Sequence, residues 1–190
     1  MMGGHETQVS QVSSLKTTSR EIKNMTTATA TAPVAIAEQN WKLEFRFHDG
    51  GREDATGKSK RSGDCVTRAI AIASQKSYAE VWEALTEGNA TQRKTKRSPK
   101  TANRDADTGV LVKRKWFRDY MTSLGFVWIP TMTIGSGCKV HLRRGELPDG
   151  RLVVAVSKHY VAVIDGVIHD TYDPSRGGNR CVYGFWKLEN

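Results

Sequence analysis

Cys65 stands in the run Gly63-Asp64-Cys65-Val66-Thr67-Arg68-Ala69-Ile70-Ala71-Ile72-Ala73, where a charged segment gives way to apolar residues at helical spacing. A thiol in the first turn of a helix lies among N–H groups that have no intrahelical acceptor. Their partial positive charge favours the thiolate and lowers the thiol pKa. Far downstream His159 opens an apolar strand, and Asp170 and Asp173 lie at the end of the next. Cys, then His, then acid are the parts of a nucleophilic amidase, in which the ring takes the thiol proton and a carboxylate fixes the ring's tautomer. The backbone N–H of Cys65 supplies one donor to an oxyanion; Asp64, while ionised, cannot supply a second.

Each part has a competitor. Cys138, in Gly135-Ser136-Gly137-Cys138-Lys139, is an alternative nucleophile on a flexible loop, whereas Cys181 alternates with Val182 and Tyr183 in a terminal strand and reads as structural. For the acid, Asp165-Gly166 is a two-residue hairpin turn, which fixes register. Counting outward pairs Ile164 with Val167, Val163 with Ile168, Val161 with Asp170 and His159 with Tyr172. Directly opposed residues share a face, so Asp170 lies diagonal to the imidazole, while Asp173 falls on the other face and is the alternative acid. His169 alternates away from the site and reads as a surface residue.

The elements that must carry these residues follow from periodicity. Trp41, Leu43, Phe45 and Phe47 alternate with polar residues as in a half-buried strand, Asp49-Gly50-Gly51 ends it, and a charged loop runs from Arg52 to Gly63. Asp64 is the expected N-cap of a helix over about 65–75. Ser77 with Glu80 forms a capping box ahead of a second helix with Tyr78, Val81, Trp82 and Leu85 on its apolar face. A third helix is expected from Val110 to Leu124, with Val112, Trp116, Tyr120 and Leu124 inward and Gly125 as its stop. Segments 126–129, 151–156, 159–164, 167–172 and 181–186 read as strands. Helices before strands give an α+β class, with an antiparallel C-terminal sheet.

The chain has 190 residues, 38% of them hydrophobic, enough for one packed domain with a Ser/Thr/Ala-rich tail over residues 1–40. The domain is expected over 41–190, interrupted by a basic loop at about 87–109. With 29 Lys+Arg against 20 Asp+Glu the net charge is +9, which favours anionic partners. Arg93, Lys94, Lys96 and Arg97, with Lys113, Arg114 and Lys115, are a candidate anion-binding set, expected to contact nucleic acid or an acidic protein. That set carries the rival expectation of a basic binding module without turnover, against a peptide or amide substrate for the enzyme. Three cysteines without a CxxC pair indicate neither a disulfide framework nor a metal site, and favour a reducing cytosol. No cofactor is called for. No run reaches the roughly 18 apolar residues of a membrane span.

Around Asp64-Cys65-Val66-Thr67-Arg68-Ala69-Ile70-Ala71-Ile72-Ala73, Tyr78-Ala79-Glu80-Val81 and the His159 strand, the sequence resembles the papain-like cysteine peptidase superfamily. The likeness is to its compact bacterial and phage branch, related to double-glycine leader peptidases and NlpC-type amidases, and extends over about residues 60–85 and 150–186. It implies a papain-like fold, Cys65 as nucleophile, His159 as base, and an acid at Asp173-Pro174-Ser175, in place of the Asp170 that register favours. One departure is clear: many papain-like enzymes place an oxyanion-donating Gln before the Cys, where this chain has Ser59, Lys60, Arg61 and Ser62.

Overall fold

The computed structural model describes residues 41–59, 63–92 and 105–189, all within one compact unit. The expected tail, Lys60, Arg61 and Ser62, and the centre of the basic loop with Arg93, Lys94, Lys96 and Arg97 lie outside the described residues. In chain order the elements are β1 (Glu44–Phe47), α1 (Arg52–Thr56), α2 (Cys65–Ser74), α3 (Tyr78–Ala90), α4 (Lys115–Ser123), β2 (Phe126–Pro130), β3 (Arg151–Val156), β4 (His159–Ile164), β5 (Val167–Asp170) and β6 (Val182–Leu188).

The strands form a six-stranded sheet in the order β1-β5-β4-β3-β6-β2. Central strands read Leu-Val-Val-Ala-Val and Tyr-Val-Ala-Val-Ile because both faces are covered. On one face Val153, Ala162 and Trp186 pack with Ile70 of α2, Val81 of α3 and Phe117 of α4. On the other, Leu152, Val154, Val161 and Val163 pack with Leu43 and with Leu142 and Val140 from the segment between β2 and β3. The class is α+β as expected, but the sheet is mixed: β1, which precedes every helix, pairs parallel with β5.

Three local expectations are corrected. First, β1 is a sheet edge and not a half-buried strand; Phe47 is 70% exposed and Trp41 54%, and of the apolar set only Leu43 enters the core. Second, the charged loop contains α1, whose Arg52 is buried. Third, α4 starts at Lys115, because residues 110–114 are turns bonded Val112 N–H to Val110 O and Arg114 N–H to Leu111 O. With Val112 outside the helix, the inward stripe moves round to Phe117 and Met121, both fully buried, while Trp116, Tyr120 and Leu124 are partly buried beside them. Gly125, at φ +85°, is the stop, its N–H bonded to Thr122 O.

The capping box forms as the sequence requires: Ser77 accepts from the Glu80 N–H and Glu80 from the Ser77 N–H. α2 is enclosed, with every residue from Val66 to Ala73 buried. Gly50, at φ +73°, lets the β1–α1 turn lie against this helix; a Cβ there would stand 3.1 Å from the Arg68 Cα.

The corrected stripe of α4 has an energetic consequence. Phe117→Ala is expected to cost about 3–5 kcal/mol in urea denaturation, and Leu124→Ala markedly less. The opposite order would restore the phase set by Val112.

Candidate active site

Two consecutive hairpins place the imidazole and its acid. β3 turns into β4 through Ser157-Lys158, pairing Val156 with His159. β4 turns into β5 through Asp165-Gly166, at φ +46° and +75°, the pair of positive angles of a type I′ turn. The ladder runs Ile164 with Val167, Val163 with Ile168 and Ala162 with His169, as the turn predicts. His159 and Asp170 therefore meet across the sheet end, with His159 Nε2 2.5 Å from Asp170 Oδ2. Both are buried. Asp173 does not reach the ring. It lies exposed in the turn after β5, where its carboxylate accepts the Ser175 N–H at 2.8 Å.

α2 opens at Cys65, so the Cys65 N–H has no intrahelical acceptor. Asp64 holds the N-cap position but its side chain does not cap. Its fully buried carboxylate is taken by Arg68 Nη1, by Arg52 Nη1 at 3.4 Å and by the Tyr78 hydroxyl at 3.2 Å. Two guanidinium groups and a phenol are stronger partners for a buried anion than one peptide N–H. Arg68 spans two acids: its Nη2 donates to Asp170 Oδ1 at 2.9 Å. The Thr171 N–H donates to the same oxygen at 2.7 Å. The Tyr172 ring stands 5.2 Å from the imidazole, centroid to centroid.

With Nε2 committed to Asp170, Nδ1 is the nitrogen left for Cys65. Burial pushes the Cys65 thiol up, but the hydrogen bond and charge of His159, the Tyr160 N–H and the Arg68 charge outweigh it, and the thiol ionises below its ordinary range. Burial also opposes the imidazolium, yet the bonds to Asp170 and Cys65 and their negative charges raise His159 to about 9. For Asp170, burial favours the neutral acid and is overcome by His159, Arg68 and the Thr171 N–H, which hold the carboxyl below its usual value. The ring keeps its proton at neutral pH and loses it as pH rises through about 9, while Cys65 ionises below its ordinary range. These directions favour a thiolate and a carboxylate on either side of an imidazolium.

This group opens onto a cleft of about 720 Å³ walled by Cys65, Val66, Val112, Trp128, Tyr160 and Trp186. Gly63, at φ +93°, lets one wall close up; a Cβ there would meet the Asp107 carbonyl oxygen at 2.1 Å. Of the expected anion-binding residues, Lys113 lines this cleft, Arg114 is exposed at the N-cap of α4, and Lys115 is ion-paired to Asp119 at 2.7 Å.

Cys138 is no alternative nucleophile: it is disulfide-bonded to Cys181, and Cys65 is the free cysteine. The pairing arises because the Cys138 segment lies along the start of β6. His141 bridges Cys181, and the Val182 N–H bonds Val140 O at 2.8 Å, leaving the two Cα atoms 5.8 Å apart. The cysteine count without CxxC therefore misses one cross-link, and the cytosolic expectation that leaned on it loses that support. Among the described residues no group of three or more His, Cys, Asp or Glu could hold a metal ion, and no helix is long and apolar enough to cross a membrane.

Arg68, Arg52 and Tyr78 join the site through Asp64, and none of them is among the expected site residues. Asp64 and Arg68 are four apart on a helix, which brings their side chains together; that spacing was the available signal. Comparison of the chain with protein-family models, curated proteins and solved structures finds no match.

Two substitutions test this network. Arg68→Met leaves two buried carboxylates short of a partner and is expected to cost about 3–5 kcal/mol by chemical denaturation. Asp170→Asn weakens the hold of His159 on its proton. Iodoacetamide labelling of Cys65 at neutral pH is then expected to fall about tenfold, the equivalent of one pKa unit, while Asp173→Asn leaves it unchanged. The reverse ranking of the two acids would mean that the Asp170 contact does not orient the ring.

Proposed function

We propose that this chain is a cysteine hydrolase of the papain-like kind, a peptidase or amidase with Cys65 as nucleophile, His159 as acid and base, and Asp170 as the carboxylate that holds the ring. The observation that carries this reading is that a helix-start thiol and an imidazole bonded to a buried acid line the same open cleft, and that the charges of the thiol and the ring shift each other toward thiolate and imidazolium. A structural cysteine needs none of these partners. The order of the three residues and the α-helix packed on the sheet agree with the papain-like resemblance.

The reaction follows from the protonation states. Cys65 Sγ attacks the carbonyl carbon of an amide, forming an S–C bond, and the carbonyl oxygen takes the negative charge beside the Cys65 N–H. The His159 imidazolium gives its proton to the amide nitrogen as the C–N bond breaks, and the amine leaves. A water molecule, losing a proton to His159, attacks the thioester; the C–S bond breaks and the carboxylic acid product departs. Cys65 and His159 return to their starting states. Thiol, imidazole and water suffice for this sequence.

The rival, a basic module without turnover, has less behind it. Its described residues are Lys113, at the cleft, Arg114, exposed, and Lys115, already paired to Asp119.

Acyl transfer is tested with para-nitrophenyl acetate. A burst of nitrophenol near one equivalent per chain is expected, with the acetyl group found on the Cys65 peptide by mass spectrometry and no burst in Cys65→Ser. Release unaffected by Cys65→Ser would overturn the reading. On an amide substrate, cleavage is expected to decline as pH rises through about 9, because the proton owed to the leaving amine is lost from His159. Alkylation of Cys65, which needs only the thiolate, should show no such alkaline fall.

A further inference from the structure

The cleft has a second property that the hydrolase chemistry does not use. Lys113, Arg118 and Lys158 all stand on its wall, and among its described lining residues there is no Asp or Glu. All three side chains are exposed. They arrive from separate elements: Lys113 from the turn before α4, Arg118 from α4 itself, and Lys158 from the β3–β4 turn, directly before His159. Among the described residues no ion pair occupies any of the three, although neighbouring Lys115 is bonded to Asp119 and Lys76 to Glu80. Between the cations the surface is apolar and aromatic. Trp128 packs at 5.3 Å from Trp186, centroid to centroid, and lies so close on Gly184 that a Cβ there would stand 2.3 Å from its ring. Val156, at the end of β3, completes that floor.

From this arrangement we infer that the cleft beside Cys65 selects an acidic peptide segment, with an apolar side chain seated against Trp128, Trp186 and Val156 and flanking carboxylates facing Lys113, Arg118 and Lys158. The inference rests on the hydrolase reading for turnover, but the binding surface stands without it. Cations with no acidic partner among the described residues, set around an apolar floor, leave an acidic chain both a hydrophobic anchor and charge complementarity, while a basic chain meets three like charges. An uncharged apolar segment fills the floor and leaves the cations unmatched. Lys158 adjoins the imidazole in sequence, so the selection acts close to the reacting bond.

The probes are peptidyl acyloxymethyl ketones that share one apolar residue and differ in their flanks: Asp/Glu, Asn/Gln or Lys. In each, Cys65 Sγ displaces the carboxylate leaving group and forms a thioether. The acidic probe is expected to label Cys65 about tenfold faster than the amide probe, with the basic probe slowest, and the advantage should shrink as salt is added. Lys113→Gln with Arg118→Gln should remove most of the acidic probe's advantage, each probe's rate being scaled to iodoacetamide labelling of the same variant. Equal rates for all three probes, with iodoacetamide still labelling Cys65 faster than an ordinary thiol, would overturn the substrate class and leave the hydrolase reading standing. Should iodoacetamide show an ordinary thiol, the hydrolase reading falls. The cleft is then judged in Cys65→Ala by quenching of tryptophan fluorescence with the acidic peptide. Salt-sensitive quenching upholds the site. No quenching, or quenching by an oligonucleotide in preference to the peptide, overturns it.

Discussion

The guanidinium of Arg68, held between Asp64 and Asp170 inside the protein, is the contact on which the arrangement of the site depends. Asp64 immediately precedes Cys65, and Asp170 bonds the imidazole that faces it, so a single side chain ties the helix that carries the thiol to the strand that carries the acid. Charges this deep are costly to desolvate and are tolerated where partners offset that cost; here the carboxylates are matched, while Arg68 Nε and Arg52 Nε have no hydrogen-bond partner among the described residues. Arg52, Tyr78 and the Thr171 N–H supply the matching partners. Because the partners come from α1, α2, α3 and the end of β5, the ionised state of the site and the packing of the helices on the sheet are coupled. A carboxylate that lost its negative charge would loosen both.

How much of this is legible in the sequence depends on whether the signal is local. The His159–Asp170 meeting is legible because Asp165-Gly166 admits one turn geometry, and strand pairing then propagates by twos without further information. The capping box at Ser77 is legible for the same reason. The stripe of α4 is misread because Val112 looks like the first inward residue of a helix, when the turn at 110–114 delays the helix to Lys115 and shifts its phase. β1 shows the limit of alternation. Its period is right for a strand, but nothing in it says that the strand lies at an edge, paired on one side alone, with Phe47 left outside.

The misassigned side chain of Asp64 is the instructive case. Read locally, an acid ahead of an apolar helix is a cap, and it does stand at the N-cap position. Its carboxylate goes elsewhere because Arg68, one turn on, and Arg52, which the sequence placed in a loop, converge on it from opposite sides. The Cys138–Cys181 pairing is non-local in the same way, since residues 43 apart are joined by the bridge of His141 to Cys181. Long-range partners decide the chemistry of both, and periodicity carries no record of them.

The central claim is that the protein holds Cys65 as an anion beside a protonated His159, and the ultraviolet absorbance of the thiolate reports that state directly. Its pH titration in the native protein, taken as the difference from Cys65→Ser, should show thiolate at neutral pH, with an inflection on the acid side of the ordinary thiol value of about 8.5. In His159→Ala the inflection should move up toward that value. An inflection near 8.5 in both proteins would contradict the account, because the thiol would then owe nothing to the imidazole, the buried acid or the helix that presents it.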